Sequence, residues 1–121
     1  MAVLQGQEWA AKKCVPCEGG VPRIEEAAAK QLLGGLEGWT LAQGGKAIEK
    51  RWTVKNFVAG MKFLEQIAGI AEEEQHHPDV HLTGYRNVAV QLTTHAIGGL
   101  SENDFILAAK IDQLPVELKQ S

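Results

Sequence analysis

Cysteine is nearly missing from this chain: Cys14 and Cys17 are the only two in 121 residues. Two thiols this close together cannot staple a domain of that size, so an apolar core must hold it and a reduced, cytoplasmic protein is expected. No apolar run approaches the ~20 residues a membrane helix needs. The N-terminus also lacks a basic region followed by a long apolar stretch and a cleavage site, so export is not expected. Positive charge is in deficit, with 12 Lys+Arg against 15 Asp+Glu and a net charge of −3. A reader of the nucleic-acid backbone needs a basic stripe, and there is none.

What is present is the composition of one globular domain: 45% apolar and 22% charged residues. Charge is unevenly spread. Residues 1–62 carry nine basic and six acidic side chains (+3), leaving three basic and nine acidic over 63–121 (−6). All four histidines, His76, His77, His81 and His95, fall in the acidic half within twenty residues. Scattered surface histidines would rarely cluster so tightly, and the window directs attention to itself.

Residues 1–22 read as a flexible N-terminal arm, because Gly6, Cys14-Val15-Pro16-Cys17 and Gly19-Gly20-Val21-Pro22 interrupt any long element. The CxxC spacing could be half of a zinc site or a redox pair. Neither a second ligand pair nor a strand-then-helix context accompanies it, so no catalytic role is expected there. Residues 23–121 then form a single domain. An alanine-rich helix is predicted over 23–36, ended by Gly34-Gly35. Trp39-Thr40-Leu41 and residues 46–52 form a hairpin about Gly44-Gly45. Thr53 can cap a helix reaching Gln75, with Val54, Phe57, Met61, Leu64, Ile67, Ala68 and Ala71 as its buried stripe, stopped by Pro78. Residues 85–94 are the clearest strand, with Val88, Val90, Leu92 and Thr94 on one face and His95 at the end of the other. Ser101 to Asp104 open a last helix in capping-box fashion, with Asp104 as its structural cap. The fold class is α+β: a four-stranded antiparallel sheet with helices on one face.

Glu72 precedes His76 by one helical turn, so the two can share a face. His76 and His77 sit where the helix ends, and a return of the chain could bring His95 to them. Imidazole changes charge near neutrality, so three of them at a cleft can act as general acids and a general base without a metal. Two other readings stay open at this level. Histidines with Glu72 could ligate zinc or iron. Alternatively, the histidines are helix-end and strand-end residues, and Glu72-Glu73-Glu74 is a solvated helix face.

The run Glu72-x3-His76-His77-Pro78-x6-Tyr85-x9-His95-x8-Asp104 resembles the signature of the pterin-4a-carbinolamine dehydratases. Gly38-Trp39, Phe57, Thr94-His95 followed by Gly98-Gly99-Leu100-Ser101, and Leu107-Ala108 before Ile111-Asp112 fit it too. The resemblance covers about residues 36–114 and leaves the arm aside.

The resemblance implies dehydration of 4a-hydroxytetrahydrobiopterin, or a related 4a-hydroxytetrahydropterin, to the quinonoid dihydropterin in tetrahydropterin recycling. It implies His76 and His95 as acids for the departing hydroxyl, and His77 as base and pterin-binding residue. Glu72 would orient the histidines, and Thr93 and Thr94 would line the pocket. It implies no cofactor and no metal, and a homodimer or homotetramer built by sheet-edge pairing with residues 85–94 as the candidate strand; charge and hydropathy already leave no direct nucleic-acid or membrane partner to expect. His81 has no family-wide role. A non-catalytic binding, assembly or transcriptional-partner protein on the same fold is the alternative, and the intact histidine trio argues against it.

Overall fold

The computed structural model describes residues 4–15 and 21–120. They form α1 (Gly6–Ala10), α2 (Glu26–Leu32), β1 (Thr40–Ala42), β2 (Ala47–Thr53), α3 (Phe57–Glu74), β3 (Asp79–Thr83), β4 (Asn87–Leu92) and α4 (Glu102–Asp112). Cys17 lies outside the described residues.

Strict alternation along β4 makes the sheet one-sided: Val88, Val90 and Leu92 are fully enclosed, while Asn87, Ala89 and Gln91 point the other way. The strand order is β1-β2-β4-β3, antiparallel throughout, with Ile48 opposite Leu92 and both Lys50 and Val80 opposite Val90. The apolar face shares one core with Phe63 and Ile67 of α3 and Phe105, Leu107 and Ile111 of α4. Each such side chain contributes about 1.5–3 kcal/mol on burial. This is the α+β sheet with helices that the sequence predicts.

Several boundaries differ from the sequence expectation. The helix expected over 23–36 is α2 and starts at Glu26, because the Ile24 backbone N–H is donated to Leu100 O at 2.7 Å, and a 3-10 turn takes over at Leu33. Thr53 ends β2 opposite Asn87, and the cap of α3 is Asn56, whose Oδ1 accepts from Ala59 N at 2.9 Å. The buried stripe of α3 is Ala59, Gly60, Phe63, Ile67 and Ala71; Phe57 and Met61 are half exposed. Residues 79–83, without an assigned element in the sequence reading, form β3. Tyr85 lies with Gly84 in the loop before β4, both with positive φ. β4 is central and paired on both sides, so it cannot join a second copy edge to edge; the edges are β1 and β3.

The arm also departs from expectation where it is described. Trp9 of α1 is 2% exposed and stacks on Phe105, with ring centroids 5.6 Å apart. The reason lies in α4, whose residues from Asn103 to Ala109 are all buried. A helix without a polar face needs cover on more than one side. The sheet and α3 cover part of α4, and α1 covers more.

Candidate active site

α3 ends in a turn that aims the first histidine. Gln75 takes the left-handed conformation (φ 54°), and the N–H groups of Gln75 and His76 are both donated to Ala71 O. A left-handed residue at this point swings the following chain off the helix axis. His76 therefore turns inward instead of continuing the exposed Glu72 face. Its imidazole is 7% exposed, and its Nε2 meets Asp104 Oδ1 at 2.6 Å.

Asp104 is fully buried and does more than cap α4. Its Oδ2 accepts from Ser101 N at 3.0 Å, which is the capping bond, and from Thr94 Oγ1 at 2.8 Å. Because the Thr94 proton goes to Asp104, Ser101 Oγ donates to Thr94 Oγ1 (2.7 Å), and it accepts from Asn103 N at 3.2 Å. Three donors thus converge on one carboxylate from α3, the end of the β4 chain and the start of α4. Such a network is rigid because each member is satisfied only in this arrangement.

The other two histidines of the trio, His77 and His95, are exposed. His77 Nε2 lies 2.5 Å from Glu72 Oε2, so the carboxylate that the sequence places beside His76 holds His77 instead. His95 opens a 3-10 turn over residues 95–97 that begins where the sheet has ended. Connectivity relates them. His76 and Thr94 both bond Asp104, and their chain neighbours are His77 and His95, so each exposed imidazole follows directly on a residue held by the same buried carboxylate. Thr94, 1% exposed, is enclosed with its hydroxyl committed to Asp104 and Ser101. Thr93 Oγ1 donates to Lys46 O at 2.5 Å. His81 stands exposed on β3 opposite Ala89, on the sheet face away from the core.

Among the described residues no group of three His, Cys, Asp or Glu side chains is arranged to hold a metal ion. Two of the imidazoles have a carboxylate partner each.

Glu74, read from sequence as part of a solvated face, is held inward with its side chain 4% exposed. Its Oε1 accepts from Cys14 N at 2.8 Å and its Oε2 lies 3.7 Å from Lys110 Nζ. Burial pushes its carboxyl up, but the Cys14 backbone N–H and the Lys110 and Lys13 charges outweigh that and hold it below its ordinary value of 4.5. The roles of Glu74 and Asn103, and the second role of Asp104, escaped the sequence reading. A usable signal was the apolar run Phe105-Ile106-Leu107-Ala108-Ala109, which buries whatever polar groups start the helix.

A one-sided antiparallel sheet, two helices on its apolar face, a buried carboxylate gripping one imidazole and a second, exposed imidazole–carboxylate pair define a small α+β domain with a histidine–carboxylate site. Residues 22–114 match the family model described as pterin 4 alpha carbinolamine dehydratase, and the chain belongs to that family. It is 50% identical over 109 residues to pterin-4-alpha-carbinolamine dehydratase 2, mitochondrial, of Arabidopsis thaliana, covering 88% of this chain and 58% of that protein. It thus spans less than two thirds of the plant protein. A putative pterin-4-alpha-carbinolamine dehydratase of Nitrosospira multiformis is 49% identical over 105 residues, covering 87% of this chain and 90% of the relative. Among solved structures, a transcriptional coactivator/pterin dehydratase from Brucella melitensis superposes with a TM-score of 0.70 at 33% identity, over 75% of this chain and 96% of that one. A pterin dehydratase-like RuBisCO assembly factor of the alpha-carboxysome shares the fold, with a TM-score of 0.52 at 23% identity over 63% of this chain and 87% of that one.

Proposed function

We propose that this protein dehydrates 4a-hydroxytetrahydropterins, 4a-hydroxytetrahydrobiopterin among them, to the quinonoid dihydropterin. The observation that supports the proposal is that exposed His77 and His95 each follow in sequence a residue bonded to Asp104, His76 and Thr94, in a chain of this family. In the reaction the ring N–H loses its proton and the nitrogen lone pair forms the new C=N bond. The C4a–O bond breaks, and the oxygen leaves as water after taking up a proton. Two proton transfers at neighbouring atoms call for an acid and a base, and two exposed imidazoles offer the groups for both.

His77, oriented by Glu72, takes the ring-nitrogen proton and contacts the pterin. His95 protonates the departing hydroxyl. His76, fixed by Asp104, serves the hydroxyl on the other ring face. Thr94 acts through Asp104, and Thr93 supports the chain beside His95. No cofactor enters the scheme. The protein works as a homo-oligomer without nucleic acid or membrane. Support for self-association comes from the open edges β1 and β3 and from half-exposed Phe57, Val58 and Met61 on α3.

Mixing the protein with freshly generated 4a-hydroxytetrahydropterin is expected to accelerate the absorbance decay of the carbinolamine. His77→Ala or His95→Ala should each lower that acceleration on the order of 10²–10⁴-fold. Both side chains are exposed, so stability should change by no more than about 0.5 kcal/mol. Unchanged acceleration in both variants would refute the assignment.

A further inference from the structure

The match to the family begins at residue 22, yet the described part of the preceding segment reaches the two helix ends that build the site. At the end of α3, Glu74 accepts from Cys14 N, two residues before His76. At the start of α4, Asn103 forms a two-bond clamp on Val15. Val15 N is donated to Asn103 Oδ1 at 3.0 Å, and Asn103 Nδ2 is donated to Val15 O at 2.8 Å. Asn103 is 2% exposed, immediately precedes Asp104, and also donates its own backbone N–H to Ser101 Oγ. Further along α4, Lys110 Nζ donates to Ala10 O at 2.9 Å while facing Glu74. Trp9 completes the attachment by stacking on Phe105, the residue after Asp104.

We infer that residues 5–15 are a positioning element for the acid–base site: through Glu74 and Asn103 they lock the end of α3 that carries His76 to the start of α4 that carries Asp104. The attachments are specific to that purpose in their placement. Cys14 and Val15, adjacent in the chain, are bonded to the two helices whose ends carry the two partners of the 2.6 Å contact. A shift of either helix end would lengthen that contact, and His77 would move with His76. Residues that orient a reacting group through another are worth on the order of 10- to 100-fold when removed. Glu74 and Asn103 are accordingly positioning residues; neither is placed to touch substrate.

This inference rests on the dehydratase reading for its kinetic arm only, so the test has a second arm. Asn103→Ala, Glu74→Ala and Glu74→Gln are compared with the parent by steady-state dehydration and by proton NMR of the hydrogen-bonded His76 ring N–H, assigned by its loss in His76→Gln. Asn103→Ala and Glu74→Ala should lower kcat on the order of 10-fold with KM within about twofold, and should broaden or shift that ring proton. Glu74→Gln, which keeps an oxygen for Cys14 N, should recover most of the loss. Parent-like kcat and an unmoved ring proton in both alanine variants would overturn the inference. Should one variant fail to fold, the other decides. A parent protein that accelerates nothing would sink the dehydratase reading, and the NMR arm would still decide the positioning role.

Discussion

Asp104 serves three donors at once, and the arithmetic of its replacement follows from that. In Asp104→Asn one oxygen remains, and the new amide NH2 must face either the His76 ring N–H or the Thr94 hydroxyl and Ser101 N–H. Facing His76 the amide forces the imidazole into its other tautomer, and facing Thr94 and Ser101 it sets donor against donor, in a fully buried place. Breaking a buried pair from one side typically costs 3–5 kcal/mol, and an unsatisfied buried group 1–3. Asp104→Asn is therefore expected to destabilise the protein by about 3 kcal/mol, read as a lower urea midpoint with unchanged slope. A change within about 0.5 kcal/mol would mean that the network is less coupled than its geometry implies. From the sequence Asp104 was legible as a cap, since Ser-x-x-Asp is a local pattern. Its grip on His76 was not, because a contact across 28 positions leaves no local trace.

The same distinction runs through the elements. The alternation in β4 and the spacing of Ile48 and Trp52 in β2 were readable because a half-buried strand needs nothing but its own pattern. α3 was readable as a helix but not in its rotation. Phe57 with Met61 and Phe63 with Ile67 are both i, i+4 pairs, and only the packed sheet selects the second. β3 carried a usable signal, with Val80 and Leu82 alternating with polar neighbours, but five residues beside a proline and a histidine pair are easily passed over. The join of the segment after α1 to α3 and α4 through Glu74 was invisible, since it unites residues 14, 74 and 110. It has a pH signature. The folded-state value of Glu74 lies below its ordinary 4.5, so its contribution to stability is fully present above 4.5 and is lost as pH falls through the lowered value. The stability difference between parent and Glu74→Gln should therefore be largest at neutral pH and shrink on acidification well below 4.5. Denaturant titrations at the two extremes check this; a difference that grows on acidification would contradict it.

At the scale of the molecule, the apolar half of the surface story is unfinished business for a single copy. Phe57, Val58 and Met61 leave α3 uncovered on one side, and both sheet edges remain open. Light scattering is expected to give a dimer or tetramer, and a monomer at micromolar concentration would refute self-association. The scarcity of cysteine and of positive charge set the outline of a small domain held by its core. The acidic half then proved to hold a buried carboxylate with three donors on it, and an exposed histidine next in the chain to two of the residues that supply them. Whether that arrangement does what is proposed is decided by one measurement. Stopped-flow decay of a freshly generated 4a-hydroxytetrahydropterin should be accelerated by the parent and slowed on the order of 10²–10⁴-fold by His95→Ala. A parent trace matching buffer, or a His95→Ala trace matching the parent, would contradict the account.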